Sequence, residues 1–402
     1  MVNQDGGLRH PTAKLAVLMS GNVLMTLMIS SVMPASSAIA RNFSALGQVD
    51  LHAQILLLAP YIALIFVAPV IGVLIKNFGR RVPLLAAIGL YACAGAAEIF
   101  TNGFWALVGE RILLGAGGGA ITTICMTLAG DYFSGAKRTW AVALVGMATA
   151  PGSVVVLLIS GVLVDWGGWH MAFIPYLLAV PVFVAALFLI EEPGVPAEVM
   201  TSSGALPRFF WLLCLVTIFE ACTAILPAVQ LPFLLSAIGI THATTASILI
   251  ALSACVAVAA GSLYPIMRRY LSVNAVLVVI FGTAAFSYSV FFIANDVFSI
   301  GLALLIIGLP TGLMIPHFSS VAIERASTEA RGRAVGLITS SIFIGQLSIP
   351  LVVEPLHAAL GMKNMFLVLA LVLVSASLLA ALIPRFSRLQ HAAATRSEPA
   401  LK

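Results

Sequence analysis

Gly72-Val73-Leu74-Ile75-Lys76-Asn77-Phe78-Gly79-Arg80-Arg81 is the stretch on which the fold turns. Lys76, Arg80 and Arg81 fall within six residues, between two long apolar runs. Each charge left in hydrocarbon would cost at least about 2.5–3.5 kcal/mol, so the stretch reads as a connection between two membrane spans. The pattern returns 189 residues later, where Gly261-Ser262-Leu263 ends an apolar run and Arg268 and Arg269 follow; Gly72 matches Gly261 and Arg80 matches Arg269. A second echo pairs Lys137-Arg138 with Arg331-Gly332-Arg333. Half of the chain thus repeats in one orientation, and transporters built on parallel repeats hold solute between the halves near the midplane.

Composition agrees with that reading. Of 402 residues, 61% are hydrophobic and 9% charged, and the mean hydropathy is +1.10. A soluble domain carries roughly 45–50% apolar and about 25% charged residues, so a soluble enzyme, a nucleic-acid binder and a disordered scaffold are excluded. Apolar runs near the 20 or so residues that cross a bilayer fall at 15–38, 53–75, 82–101, 104–129, 139–164 and 171–190, then at 208–237, 243–266, 273–294, 297–322, 334–356 and 362–384. The predicted fold is an all-α integral membrane protein, its twelve transmembrane helices forming two parallel six-helix repeats around a central cavity. Bundles at 15–190 and 208–384 are joined by a polar linker, 191–207, with tails at 1–14 and 385–402. Ala38-Ile39-Ala40 imitates a signal-peptidase site, but its apolar run exceeds the 7–15 residues of a signal-peptide core and is kept as the first span.

The cations orient the chain. With a cytoplasmic N-terminus, 17 of the 20 Lys and Arg fall on the inner side, Arg41 and Lys363 fall outside, and Arg111 lies within a span. Lys and Arg are retained in cytoplasmic loops, so a multi-pass protein of the cell's inner (plasma) membrane with both termini cytoplasmic is expected. Cys93, Cys125, Cys214, Cys222 and Cys255 sit in apolar runs without Cys-x-x-Cys or Cys/His spacing, so neither a disulfide nor a metal site is expected. The glycines from Gly115 to Gly119 lack the Gly-Lys-Ser/Thr of a phosphate loop and fit close helix packing instead. Asn42-Phe43-Ser44 matches a glycosylation acceptor by a tripeptide alone.

The opening stretch resembles the signature of the major facilitator superfamily, Gly-x-Leu-Ala-Asp-Arg-x-Gly-Arg-Arg/Lys. Arg111-Ile112-Leu113-Leu114-Gly115-Ala116-Gly117 is similar to that family's Arg-x-x-x-Gly-x-Gly, and Gly168-Trp169-His170 with Phe173 resembles its Gly-Trp-Arg-x-x-Phe. Arg331-Gly332-Arg333 through Gly345-Gln346 resembles its entry into the eleventh helix. Two departures stand out. Lys76 occupies the acidic position of the first signature, and the antiporter motif Gly-Pro-x-x-Gly-Gly of the fifth helix carries Leu157 for its proline and Ser160 for a glycine. The similarity is nearest to the drug:proton antiporter branch. It implies a cavity lined by spans 1, 4, 7 and 10, a monomer, and no cofactor.

Ionisable residues inside the spans are the functional candidates. Glu220 lies about 12 residues into span 7, roughly 18 Å deep at ~1.5 Å per residue, with no basic neighbour in sequence. Low dielectric favours an uncharged carboxyl, which suits a group that binds and releases a proton. Arg111 cannot shed its charge and needs an acceptor, with Glu98 at a similar depth; the resemblance gives it a part in coupling. Glu110 is adjacent but about 100° away around the helix, and it and Glu98 are expected near enough the outer interface to be solvated. Asn22, Gln230, His317 and Gln346 are candidate solute contacts, with Phe219, Phe233, Tyr61, Met25 and Met28 available for an apolar pocket. At the inner ends, Gly72, Gly79, Arg80, Arg81, Asp131, Arg268, Arg269 and Glu324 form a candidate gate. No paired carboxylates at metal-ligand spacing and no nucleophile–base motif point to an enzyme. The expected function is export of a small, partly apolar organic solute or drug by alternating access in exchange for protons. A facilitator or proton symporter of a small metabolite is the alternative, and lipid, solute and protons are the expected partners.

Overall fold

The computed structural model describes residues 10–46, 49–193, 208–327 and 330–396; the tail residues 1–9 and 397–402 and linker residues 194–207 lie outside them. Every regular element among the described residues is helical. The helices are α1 Pro11–Ser30, α2 Ser36–Asn42, α3 Val49–Leu58, α4 Pro60–Phe78, α5 Arg81–Glu98, α6 Phe104–Tyr132, α7 Gly135–Met147 and α8 Thr149–Gly167. After a 3-10 segment, Trp169–Leu178, come α9 Ala179–Leu189, α10 Phe209–Ala237, α11 Ala243–Tyr270, α12 Val273–Ile293, α13 Val297–Arg325, α14 Arg331–Leu347 and α15 Ile349–Arg396.

Proline sets where several expected spans break. It has no N–H for the carbonyl four residues earlier and its ring crowds that turn. Pro34 lies in the 3-10 turn that breaks α1 from α2, Pro60 opens α4, Pro151 follows the step at Ala148, and Pro350 follows the step at Ser348. Pro175 lies in the 3-10 segment. By length and composition ten helices can cross a membrane, or eleven when the bent pair Leu51–Val67 and Val70–Phe78 counts as one. The expected count was twelve. The difference lies at the C-terminal end, where Arg331–Leu382 is a single 52-residue stretch. At ~1.5 Å per residue it is about 78 Å long, over twice the ~30 Å hydrocarbon core. Gly361 interrupts it with φ 78 and ψ 165, between the expected spans 334–356 and 362–384. Helix α15 also runs on to Arg396, beyond the expected end of the last span at 384.

The chain divides into two compact units, residues 1–202 with 229–251, and residues 203–228 with 252–402. In the first, α6 packs on α1, α4 and α5. A Cβ at Gly115 would overlap the Pro60 backbone, one at Gly117 would lie 3.0 Å from Ala87 O, and one at Gly119 would lie 2.6 Å from Leu64. The glycine run is therefore a packing seam that serves two neighbouring helices. In the second unit α12 packs on α13 and α15, Gly308 and Gly312 of α13 meet the backbone of α11, and Gly345 of α14 meets Ile218 and Ala221 of α10. A Cβ at Gly312 would overlap Ala257 O, whereas Gly336 has nothing within 4 Å. Gly312→Ala is expected to cost about 1–3 kcal/mol by overpacking. Gly336→Ala is expected to leave thermal unfolding of the detergent-solubilised protein unchanged, and equal melting points for the two variants would refute the seam.

Candidate functional site

Arg111 is the hub of the first unit. It is fully buried in α6, and its donors reach backbone left unpaired by the helix breaks. Pro60 has no N–H for Leu56 O, and Arg111 Nε donates to that oxygen at 3.1 Å. Val32 N–H turns back to Ile29 O in the 3-10 step after α1, which frees Met28 O for Arg111 Nη2. Leu57 O accepts a longer bond from the same nitrogen at 3.4 Å, and Tyr176 Oη stands 2.6 Å from Nη1. Glu98 supplies the opposite charge, its Oε2 3.6 Å from Nη1. Solvated is therefore wrong for Glu98: it is 0% exposed, because the last turn of α5 is covered by the packed unit. Glu110 is turned away from Arg111 as the helical spacing requires, accepting from Thr101 Oγ1 at 2.8 Å, with its second oxygen buried and unpaired. Sequence reasoning missed Tyr176, although Pro60 marked that Leu56 O would lack its helical donor.

Glu220 lies in the middle third of α10 and is 1% exposed, with Oε2 lacking any hydrogen-bond partner. A buried carboxylate without donors or a cation is costly as an anion, so the surroundings suit a proton-bearing group. Tyr288 and Thr223 lie close by, the Tyr288 hydroxyl donating to Thr223 O at 2.6 Å. Phe219, one residue before, is half-buried with its ring 5.8 Å from that of Phe281. Ten residues further along the same helix, Gln230 is fully buried with neither amide atom paired.

The remaining candidates differ in what they leave unpaired. Asn22 donates from Nδ2 to Val145 O at 2.8 Å and keeps a free Oδ1. Gln346 is buried with Oε1 unpaired. The His317 ring is 1% exposed, lies edge-on to Tyr264 with centroids 6.0 Å apart, and has an unpaired Nδ1. Tyr264 Oη, also buried and unpaired, was missed, as was Gln54 with both amide atoms unpaired. Ser160, which replaces a motif glycine, instead donates to Ser31 O at the break after α1.

At the side of the basic loops, Arg80 Nε meets Asp131 Oδ2 at 3.1 Å. A third member was missed. The Glu192 carboxylate accepts from the backbone N–H of Arg80 at 2.8 Å and of Arg81 at 2.8 Å, at the start of α5. A helix start exposes unpaired N–H groups and partial positive charge, so an anion there is favourable. Gly79, with φ 73, permits the approach: a Cβ at that position would stand 2.6 Å from the carboxylate. Lys14 joins Glu191 at 2.7 Å beside it. Of the candidate cations, Arg268 is the partner of Glu324, at 3.4 Å, and Arg269 is exposed on the neighbouring helical face. Gly72 has nothing within 4 Å. Glu192→Ala is expected to lower stability by about 1 kcal/mol, the usual worth of a helix cap, with Glu192→Asp nearer the parent. Thermal unfolding checks this, and an unchanged melting point for Glu192→Ala would remove Glu192 from the cap.

Comparison with known proteins places this arrangement. The chain is 26% identical over 189 residues to the sphingosine-1-phosphate transporter SPNS2 of Danio rerio, across 46% of this chain and 37% of that protein. Over 126 residues it is 28% identical to the multidrug transporter protein MdtP of Bacillus subtilis, across 31% and 23% of the two. The chain spans about a fifth to two fifths of the length of the curated relatives it matches. A solved structure of a bacterial homolog to the human lysosomal transporter Spinster, in an inward-facing and occupied conformation, superposes with a TM-score of 0.73 at 17% identity, covering 94% of this chain and 98% of that one. At that identity the likeness is one of fold. The sequence profile of the Major Facilitator Superfamily matches residues 18–350, and the chain therefore belongs to that superfamily, a family of membrane transporters rather than enzymes.

Proposed function

We propose that the chain exports a small, partly apolar organic solute by alternating access, in exchange for a proton carried on Glu220. The observation that carries this reading is Glu220 itself, 1% exposed, without a partner for Oε2, and far from either end of α10. Arg111 and Glu98 act in it as the second charged group, an ion pair whose position responds to movement of α1 and α3, because their carbonyls share the guanidinium. Asn22, Gln230, His317, Gln346 and Phe219 supply solute contacts, and Arg80, Asp131, Glu192, Arg268 and Glu324 the inner gate. The partly apolar solute class agrees with the names of the two relatives, a sphingosine-1-phosphate transporter and a multidrug transporter. In this reading Arg331–Leu382 crosses twice with its turn at Gly361, which makes twelve spans with both termini cytoplasmic in the plasma membrane. A facilitator or symporter of a small metabolite is the second reading, favoured by Leu157 and Ser160 in the antiporter motif.

Proteoliposomes holding a pH-sensitive dye distinguish the two. Added single-chain amphiphiles or lipophilic cations are expected to drive proton movement only when the protein is present. Solute-dependent equilibration without proton movement would establish the facilitator, and accumulation by expressing cells instead of extrusion would establish the symporter.

A further inference from the structure

The first signature has a second copy on the opposite side of the membrane from the basic loops. Gly161-Val162-Leu163-Val164-Asp165, at the end of α8, repeats the Gly-x-Leu-x of Gly72-Val73-Leu74-Ile75, with aspartate where the first copy has Lys76. The two copies differ in what they touch. Gly72 faces open space and Lys76 is exposed. At Gly161 a Cβ would lie 2.8 Å from Ser247 Cβ and 3.0 Å from Thr244 Cα, so only glycine lets the first turn of α11 come this close. Asp165 is one turn further along and on the same face, since residues four apart in a helix lie above one another. Its two oxygens accept from the first two N–H groups of α11, Ala243 N at 2.7 Å and Thr244 N at 2.9 Å. Those groups have no partner within their own helix, and that first turn contains no acidic residue.

We infer that Gly161 and Asp165 form a clasp that closes the outer face by capping α11 from α8, and that Asp165 is a positioning residue which sets the resting conformation. An anion at a helix start is favoured by both the unpaired N–H groups and the helix dipole, whereas a cation is repelled. Lys76 therefore cannot make the equivalent clasp at the inner face. The asymmetry biases the chain toward an outer face held shut, and opening it requires the two hydrogen bonds to break. The consequence for transport rests on the alternating-access reading above, but the clasp is a conformational equilibrium and is measured without solute or pH gradient.

The test is a distance distribution from pulsed electron resonance between spin labels at Val162 and Ile248, both exposed, in a chain whose five native cysteines are replaced by alanine. One short distance is expected to dominate in the parent. Asp165→Ala should raise the ratio of long to short distances about five- to tenfold, as for loss of a helix cap. Asp165→Lys should raise it further, and Asp165→Asn, whose single amide oxygen can accept from only one of the two N–H groups, should fall between the parent and Asp165→Ala. Gly161→Val should shift the ratio in the same direction by a different route, blocking the approach instead of removing the charge. Distributions that coincide for the parent, Asp165→Ala and Asp165→Lys would overturn the clasp, even if solute-linked proton movement is found. Loss of proton movement with an intact Asp165 effect would overturn only the coupling mechanism.

Discussion

Arg111→Met is expected to cost about 3–5 kcal/mol of stability, the range for breaking a buried ion pair by removing one partner. The substitution keeps an apolar stem of similar length, so the loss is chemical and not one of volume. Glu98 would be left buried with no cation, while Leu56 O and Met28 O would lose the donors that replace the helical ones missing at Pro60 and at the 3-10 step. Glu98→Gln should cost less, because the guanidinium retains its carbonyl acceptors and Tyr176. Arg111→Lys should fall between the parent and Met: an ammonium keeps the charge but cannot present a planar fork to three elements at once. In the double variant Arg111→Met with Glu98→Gln, part of the loss should return, with a coupling energy of about 0.5–3 kcal/mol as for groups in one buried network. Thermal unfolding in detergent reads the four variants against the parent. An Arg111→Met protein that melts with the parent would show that the guanidinium holds nothing together.

The same residue shows what could be read from the chain and what could not. An arginine within an apolar run demands acceptors, and Glu98 was within reach by depth. Hydropathy supplies that depth because its scale is the thickness of the bilayer. It does not supply rotation about the helix axis, so Tyr176 and the Leu56 and Met28 carbonyls were invisible until the breaks were placed in space. Prolines marked those breaks, yet Pro265, Pro310 and Pro316 lie inside continuous helices, so a proline alone does not tell a break from a tolerated bend.

Long-range pairing failed for a related reason. The ion pair of Arg80 with Asp131 was legible as opposite charges at matching helix ends. Glu192 read as a linker residue because its partners are 111 and 112 positions earlier and are backbone N–H groups, which no charge pattern records. Arg268 and Arg269 are about 100° apart around one helix, and only packing decides which of them reaches Glu324. The span count was harder still. What separates 334–356 from 362–384 in the sequence is Gly361 with Lys363 and Asn364 beside it, a short polar signal, and glycine is itself frequent inside membrane helices.

Glu220→Gln is expected to abolish proton-driven accumulation of solute while leaving the fold intact. Glutamine has nearly the same shape and can hydrogen-bond, so it places no uncompensated charge in α10, but it cannot take up or release a proton at any accessible pH. One pH unit is worth about 1.36 kcal/mol per proton, so a one-unit gradient across proteoliposomes can sustain at most about a tenfold solute gradient per proton exchanged. The parent should approach that limit, and Glu220→Gln should equilibrate solute to a ratio near one. Exchange of labelled for unlabelled solute, which needs no net proton movement, should survive in the variant. Glu220→Asp, whose shorter stem keeps the titrating group, should retain a measurable gradient. A Glu220→Gln protein that still concentrates solute tenfold would move the proton site elsewhere, with Glu98 beside Arg111 the next carboxylate to replace, since it alone of the described carboxylates pairs with a cation while fully buried.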